Sequence, residues 1–289
     1  MKKIDLSSLN IQDYLDSVDI DKIKKSLKSL KPRKYKKIID NLEQIIKSDL
    51  GTLEVNYLNL CDNFSDEERK DIKNIFNYTA HRKKETFMEH FKKLNIKSCP
   101  FCNNNYIYFY KEDASDEYNT LATLEHYYPK AKYPHLSLSF YNLIPCCSIC
   151  NSRFGGTAEL IGKINHPYRD DFDADSTFKV SINSSFIQKN EDLNISITST
   201  NDRCKKSIER FKLNEIYSEH TDIAKEIWNK TQVYNESRID ELHKEFYASL
   251  GYIKEDVKNL IFCNYLKKED INKRNHAKLT QDILKQFNI

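Results

Sequence analysis

Glycine and proline are scarce in this 289-residue sequence, at 5 and 6 respectively. That scarcity argues against a turn-rich β fold and for long helices. No stretch approaches the roughly 20 apolar residues that span a bilayer. No secretory leader is expected either: Lys2 and Lys3 resemble a basic start, but Asp5, Asn10 and Asp13 interrupt any apolar run behind them. The expectation is a soluble, cytoplasmic protein with no membrane partner. There is no internal repeat, glycine-rich phosphate loop or Walker motif, so any ATP-driven step would fall to another protein. A dominant charge is also lacking. Lys+Arg 46 against Asp+Glu 43 leaves +3, too little to announce a nucleic-acid partner by itself.

Cysteine, in contrast, is present 8 times. In a reducing compartment these residues do not read as a disulfide framework. Four fall into the pattern CxxC–(x44)–CxxC, as Cys99/Cys102 and Cys147/Cys150, leaving Cys61, Cys146, Cys204 and Cys263 over. Each CxxC can place two thiolates on one tetrahedral edge, and two edges complete a closed zinc site with no open position for water. Such a Zn2+ would be structural. Cys146 reads as a small buried residue, since its spacing to Cys150 is CxxxC.

The expected fold class is α+β: a predominantly helical chain around a small zinc-stapled ββα core, with a β-hairpin after it. The expected parts are a helical region 1–95, a zinc-bound core 96–170, a hairpin segment 171–200 and a helical region 201–289. Ile20, Ile23, Leu27 and Leu30 recur at helical spacing up to Pro32, and a second stripe runs from Tyr35 to Ile46 with Gly51 as its stop. Ser65 and Glu68 form a capping box at the head of one long amphipathic segment whose apolar face is Ile72, Ile75, Phe76, Phe87, Phe91 and Leu94. Phe178, Val180 and Ile182, then Leu193, Ile195 and Ile197, alternate with polar residues as a hairpin does. Ile216, Ile223, Ile227, Tyr234, Ile239, Leu242 and Phe246 read as one long helical stripe, broken at Gly251. Between core and hairpin, His166 beside Pro167 reads as an exposed loop histidine, and Asp170, Asp171, Asp173 and Asp175 as a solvated cluster.

Within the core, Leu121, Thr123 and Glu125 alternate as a short strand ending at His126. Asn142-Leu143-Ile144 suits a second strand or turn, and Cys150-Asn151-Ser152 opens a helix. This stretch resembles the HNH, or ββα-metal, endonucleases in their zinc-bearing branch, whose pattern is CxxC, Asp/Glu-His, Asn-Leu, CxxC-Asn. The resemblance covers about 60 residues; Asn142 follows His126 by sixteen positions and Asn151 follows Asn142 by nine. It implies that His126 is the general base, that Glu125 and Asn151 hold a catalytic Mg2+ or Mn2+, and that Asn142 braces the loop carrying His126. Phosphodiester hydrolysis asks for the same parts: an in-line water, a base titrating near neutrality and a Lewis acid, with hard oxygen ligands suited to Mg2+. The chain departs from the family with Glu at position 125, where Asp is common, and with Phe154 in place of the usual Lys after CNxx. Arg153 is the candidate replacement for that phosphate contact, and Lys130 in Glu-His-x-x-Pro-Lys is another candidate contact.

A run of nine basic residues, Lys22, Lys24, Lys25, Lys28, Lys31, Arg33, Lys34, Lys36 and Lys37, reads either as a phosphate-contacting face or as the solvated side of two helices. More weakly, Glu125-His126 through Lys130, and Phe211-Lys212-Leu213-Asn214-Glu215-Ile216-Tyr217, are similar to the HNH subunits of Septu-type and retron-associated anti-phage defence. That likeness implies an ABC/SMC-type ATPase partner. The expected activity is endonucleolytic cleavage of DNA. Two alternatives stand beside it: the same site acting on RNA or tRNA, and a non-catalytic zinc adaptor that binds nucleic acid or protein.

Overall fold

The computed structural model describes residues 1–111, 118–154, 162–184, 187 and 189–289. It is predominantly helical, with small two-stranded antiparallel sheets. None of its helices is long and apolar enough to cross a membrane among the described residues. The chain forms two compact units, one of residues 4–96 and 107–162, the other of residues 1–3, 97–106 and 163–289.

The N-terminal unit begins with α1 (Ile11–Asp16), α2 (Ile20–Leu30), α3 (Lys36–Lys47) and α4 (Leu50–Thr52), followed by α5 (Asp66–Phe76), α6 (Tyr78–Arg82) and α7 (Glu85–Lys92). Helix α2 buries Ile23 and Leu27, and α3 buries Ile38, Ile39, Leu42, Ile45 and Ile46, as their periodicity requires. Gly51 is not a stop. Helix α3 ends when Ser48 turns extended, and Asp49 caps α4 by accepting from the Thr52 N–H at 3.1 Å. Gly51 lies inside α4, which runs on into a π turn at Leu53–Tyr57.

The capping box is present: the Glu68 N–H donates to Ser65 Oγ at 3.2 Å and the Ser65 N–H to Glu68 Oε2 at 3.0 Å. The segment it heads, however, is three helices and not one. Asn77 adopts the left-handed conformation (φ 42°), ends α5 and caps α6 through its side chain. Asparagine tolerates this backbone better than most residues, which is why the chain turns there without glycine.

Strands β1 (Phe109–Lys111) and β2 (Tyr118–Thr120) pair antiparallel; the sequence pattern did not announce them. Strands β3 (Thr123–His126) and β4 (Leu143–Cys146) pair with Glu125 opposite Ile144 and His126 opposite Leu143. Helix α8 (Ser148–Phe154) follows at once, completing a β, β, α order at the expected positions. Leu121, the first residue of the expected alternation, is outside the strand and exposed.

The helical layer holds the β3–β4 loop from beneath. Tyr14 packs on Phe87, Phe91 and Phe140, Phe91 stacks on Phe140 at 5.2 Å, and Tyr14 Oη donates to Leu138 O at 2.8 Å. Buried His135 bonds Tyr57 O through Nε2 at 2.8 Å and meets Cys61 Sγ through Nδ1 at 3.0 Å.

In the C-terminal unit, α9 (Phe172–Asp175) leads into the hairpin β5 (Ser176–Ile182) and β6 (Leu193–Ser199). Its register sets Phe178 opposite Ile197, Val180 opposite Ile195 and Ile182 opposite Leu193, the pairing that period-two burial demands. Then follow α10 (Asp202–Phe211), α11 (Leu213–Ser218), α12 (Thr221–Val233), α13 (Glu236–Leu242), α14 (Lys254–Phe262) and α15 (Ala277–Gln286). The expected single stripe from Ile216 to Phe246 is thus spread over α11, α12, α13 and a π turn at His243–Tyr247, with Phe246 exposed. Gly251 does mark a break, at φ 82°.

Helix α15 satisfies one edge of the hairpin: the Phe178 N–H donates to Asp282 Oδ2 at 2.8 Å and the Val180 N–H to Gln286 Oε1 at 3.0 Å. Lys278 is fully buried between Asp173 (2.8 Å) and Asp282 (3.0 Å). The acidic cluster is therefore not solvated. Asp170 pairs with Arg203, Asp171 with Lys2 and Asp173 with Lys278, while Asp175 accepts from Asn201. His166 is likewise buried, its Nδ1 accepting from the Tyr168 N–H at 3.3 Å. His166 is interior by tertiary packing, and the four aspartates are half-buried in ion pairs and hydrogen bonds.

Candidate functional site

The sulfur atoms of Cys99, Cys102, Cys147 and Cys150 all lie within 4.8 Å of one another, and all four residues are buried. A tetrahedral zinc with Zn–S near 2.3 Å separates its sulfurs by about 3.8 Å, so the cluster can hold a metal such as zinc. Its surroundings suit thiolates. The Asn104 N–H and Asn105 Nδ2 point at Cys102 Sγ at 3.5 and 3.8 Å, and the Cys150 N–H points at Cys147 Sγ at 3.4 Å. The first CxxC turn is held by Asn103 (φ 49°), whose Nδ2 donates to Ser98 Oγ, Ile271 O and Arg274 O, and by Tyr217 Oη donating to Cys102 O at 2.7 Å. Cys146 is buried in β4, beside Thr123 Oγ1 at 3.3 Å and outside the thiol cluster.

Glu125, His126, Lys130, Asn151 and Ser152 line one cleft of about 430 Å³, together with Tyr78 and Arg82 from α6. Glu125 and His126 reach it from the end of β3, and Asn151 from the first turns of α8. Burial pushes the Glu125 carboxyl up to about 8, against the pull of Lys130 and of the His126 N–H. It is the only acidic residue among those lining the cleft.

His126 is 6% exposed, and its Nε2 donates to Ser137 O at 3.1 Å. That bond fixes the tautomer and leaves the lone pair on Nδ1. Burial first, then the Lys130 charge, holds its imidazole down to about 3, so the ring is neutral at neutral pH but titrates far below the near-neutral range expected of the base. The Tyr78 ring meets it edge-on at 4.5 Å.

Asn142 is not in the cleft. It is fully buried, accepts from the Tyr128 N–H through Oδ1 at 2.6 Å, and donates from Nδ2 to Tyr128 O at 3.1 Å and Leu136 O at 2.9 Å. These bonds tie the chain leaving His126 back onto the start of β4. Arg153 stands in the last turn of α8; the Phe154 side chain lies outside the described residues.

The basic run lies on α2, α3 and the turn between them. Lys24 pairs with Glu43 at 2.6 Å, Lys36 with Asp40 at 2.6 Å, and Lys31 and Lys34 share Glu68 at 3.3 and 3.6 Å. None of the nine lines the cleft. Tyr78 and Arg82 escaped the sequence reading. Their i, i+4 spacing puts them on one helix face, but that spacing is too common to mark a site.

No protein-family model, curated protein or solved structure matches the chain.

Proposed function

We propose that the chain is a metal-dependent endonuclease of the HNH, or ββα-metal, kind that hydrolyses phosphodiester bonds of DNA. The observation that carries this reading is the convergence of Glu125, His126 and Asn151 on one cleft from a β, β, α unit that follows a CxxC turn and contains the second. In this reading His126 takes the proton of the attacking water at Nδ1, while the Ser137 carbonyl keeps Nε2 protonated and the ring oriented. Glu125 and Asn151 are the residues that would hold Mg2+ or Mn2+. Once bound, that ion supplies Lewis-acid stabilisation of the phosphate charge. Asn142 is a positioning residue acting through the 128–136 loop, and zinc in the thiol cluster is structural, with all four positions taken by sulfur. A separate ABC/SMC-type ATPase gating the nuclease, as in anti-phage defence, belongs to the same proposal.

The test is plasmid nicking with Mg2+ or Mn2+, run beside an RNA substrate. Cleavage by wild type that is lost in His126→Ala with zinc content unchanged supports the reading. Equal cleavage by the two proteins would sink it. Cleavage of RNA alone would move the substrate without moving the site.

A further inference from the structure

The proposed chemistry leaves part of its own cleft unused. Several lysines of the N-terminal helices are matched by acids: Lys24 by Glu43, Lys36 by Asp40, Lys84 by Asp19, and Lys31 and Lys34 by Glu68. Arg82 and Lys130 are not. Both line the cleft, neither forms an ion pair among the described residues, and Glu125 is the sole acid on its walls. Arg82 is held in place by Nη2 donating to Ala122 O at 3.3 Å. Lys130 Nζ sits 5.0 Å from the centroid of the Tyr78 ring, which in turn stands against His126.

Two half-buried cations facing one small volume repel each other, and that cost is relieved by a bound anion. Burial first, then the Lys73 charge, holds the Lys130 ammonium below its usual range; Glu125 pulls the other way and Arg82 adds a smaller push. A guanidinium presents a donor fork that fits phosphate. The cleft, at about 430 Å³, is far larger than a single phosphate group requires.

We propose that Arg82 and Lys130 form a phosphate clamp, with the Tyr78 ring as its floor, that grips the backbone of the nucleic-acid strand presented to His126. The helical arm then enters the site through α6 and not through the lysine run 22–37. The clamp deepens the nuclease reading and rests on it for the fate of the bound strand, but binding can be read without cleavage.

The experiment is fluorescence anisotropy with a labelled duplex of about 20 bp, as DNA and as RNA, without added Mg2+ or Mn2+ and over roughly 50 to 200 mM KCl. Arg82→Gln and Lys130→Gln are each expected to weaken binding about five- to tenfold and to lower the log–log salt slope by about 1. Arg82→Lys should keep the slope, which separates lost charge from a damaged fold, and thermal melts check each variant. Lys25→Gln/Lys28→Gln should keep both slope and affinity. Wild-type affinity and slope in Arg82→Gln/Lys130→Gln would overturn the clamp, as would no binding of either probe by wild type. If wild type binds with the clamp's slope but cuts nothing with Mg2+ or Mn2+, the nuclease reading falls and the clamp stands. If His126→Ala alone stops cleavage while Arg82→Gln/Lys130→Gln binds unchanged, the clamp falls alone.

Discussion

The imidazole of His126 meets the ring of Tyr78 edge-on, with centroids 4.5 Å apart and planes at 75°. With Ser137 O holding Nε2 on one side, the ring contact leaves the histidine one orientation. Tyr78 Oη makes only a long bond, 3.4 Å to Leu124 O, so its value lies in the ring. Tyr78→Phe should therefore stay within about 1 kcal/mol of wild type, whereas Tyr78→Ala should lose about 3 kcal/mol to the cavity it leaves. Urea denaturation of the two variants side by side checks the difference, and under the nuclease reading kcat should fall in Tyr78→Ala but hold in Tyr78→Phe.

Glu125→Gln removes the only ionisable carboxyl among the cleft-lining residues and keeps its shape. Cleavage in Mg2+ should drop by about a hundredfold or more, the scale on which lost metal or acid–base contributions register. Zinc content and melting temperature should not change. A melting temperature that falls in step with activity would point to a structural carboxyl.

Asn142 spends its side-chain amide on Tyr128 N, Tyr128 O and Leu136 O. Replacement by Leu keeps the volume but strands these main-chain groups in a dry interior, at about 1–3 kcal/mol for each group left unsatisfied. Asn142→Leu should be destabilised by at least about 3 kcal/mol in urea titration. Asn142→Asp keeps the acceptor to the Tyr128 N–H but turns a carboxylate oxygen toward the Tyr128 and Leu136 carbonyls, so it should be destabilised as well.

His135 gives the fold an acid limb. Burial above all holds its folded pKa down to about 4, against about 6.5 unfolded. Because the folded value is depressed, protons favour the unfolded chain. Stability is full above about pH 6.5 and falls as pH drops toward 4, by up to about 3 kcal/mol from this residue. Urea midpoints measured from pH 8 to pH 4 should fall in wild type and fall less steeply in His135→Asn. Equal slopes would remove His135 from the account.

Chelation tests the thiol cluster. Purified protein should release one zinc when its thiols are titrated with a mercurial, and Cys99→Ser or Cys150→Ser should release less and melt earlier. Wild type that carries no zinc, or loses it with no change in melting, would remove the metal from the structural account.

What the sequence disclosed, it disclosed where the signal is local. The Ser65–Glu68 box, the period-two hairpin with Phe178 opposite Ile197, and the gathering of four cysteines each depend on short spacing or on chemistry that admits few partners. The failures have the opposite character. Asn77 breaks a helix with no glycine or proline to mark it, and Gly51 is absorbed into a helix because Asp49 caps it. His166 and Asp173 look like free surface residues until tertiary packing buries the first beside Tyr168 and pairs the second with buried Lys278. The cleft shows both behaviours. Glu125, His126 and Asn151 carry a motif, whereas Tyr78 and Arg82 reach the same space only through the fold.

The left-handed turn at Asn77 has a mechanical consequence. A single residue aims a five-residue helix that carries the ring braced against His126 at one end and the Arg82 guanidinium at the other. Under the nuclease and clamp proposals, base alignment and strand capture would share one pivot and could not be tuned separately from that side of the cleft. A β-branched residue at position 77, which resists this backbone, would disturb both at once. Asn77→Val should look like a double mutant made by one codon.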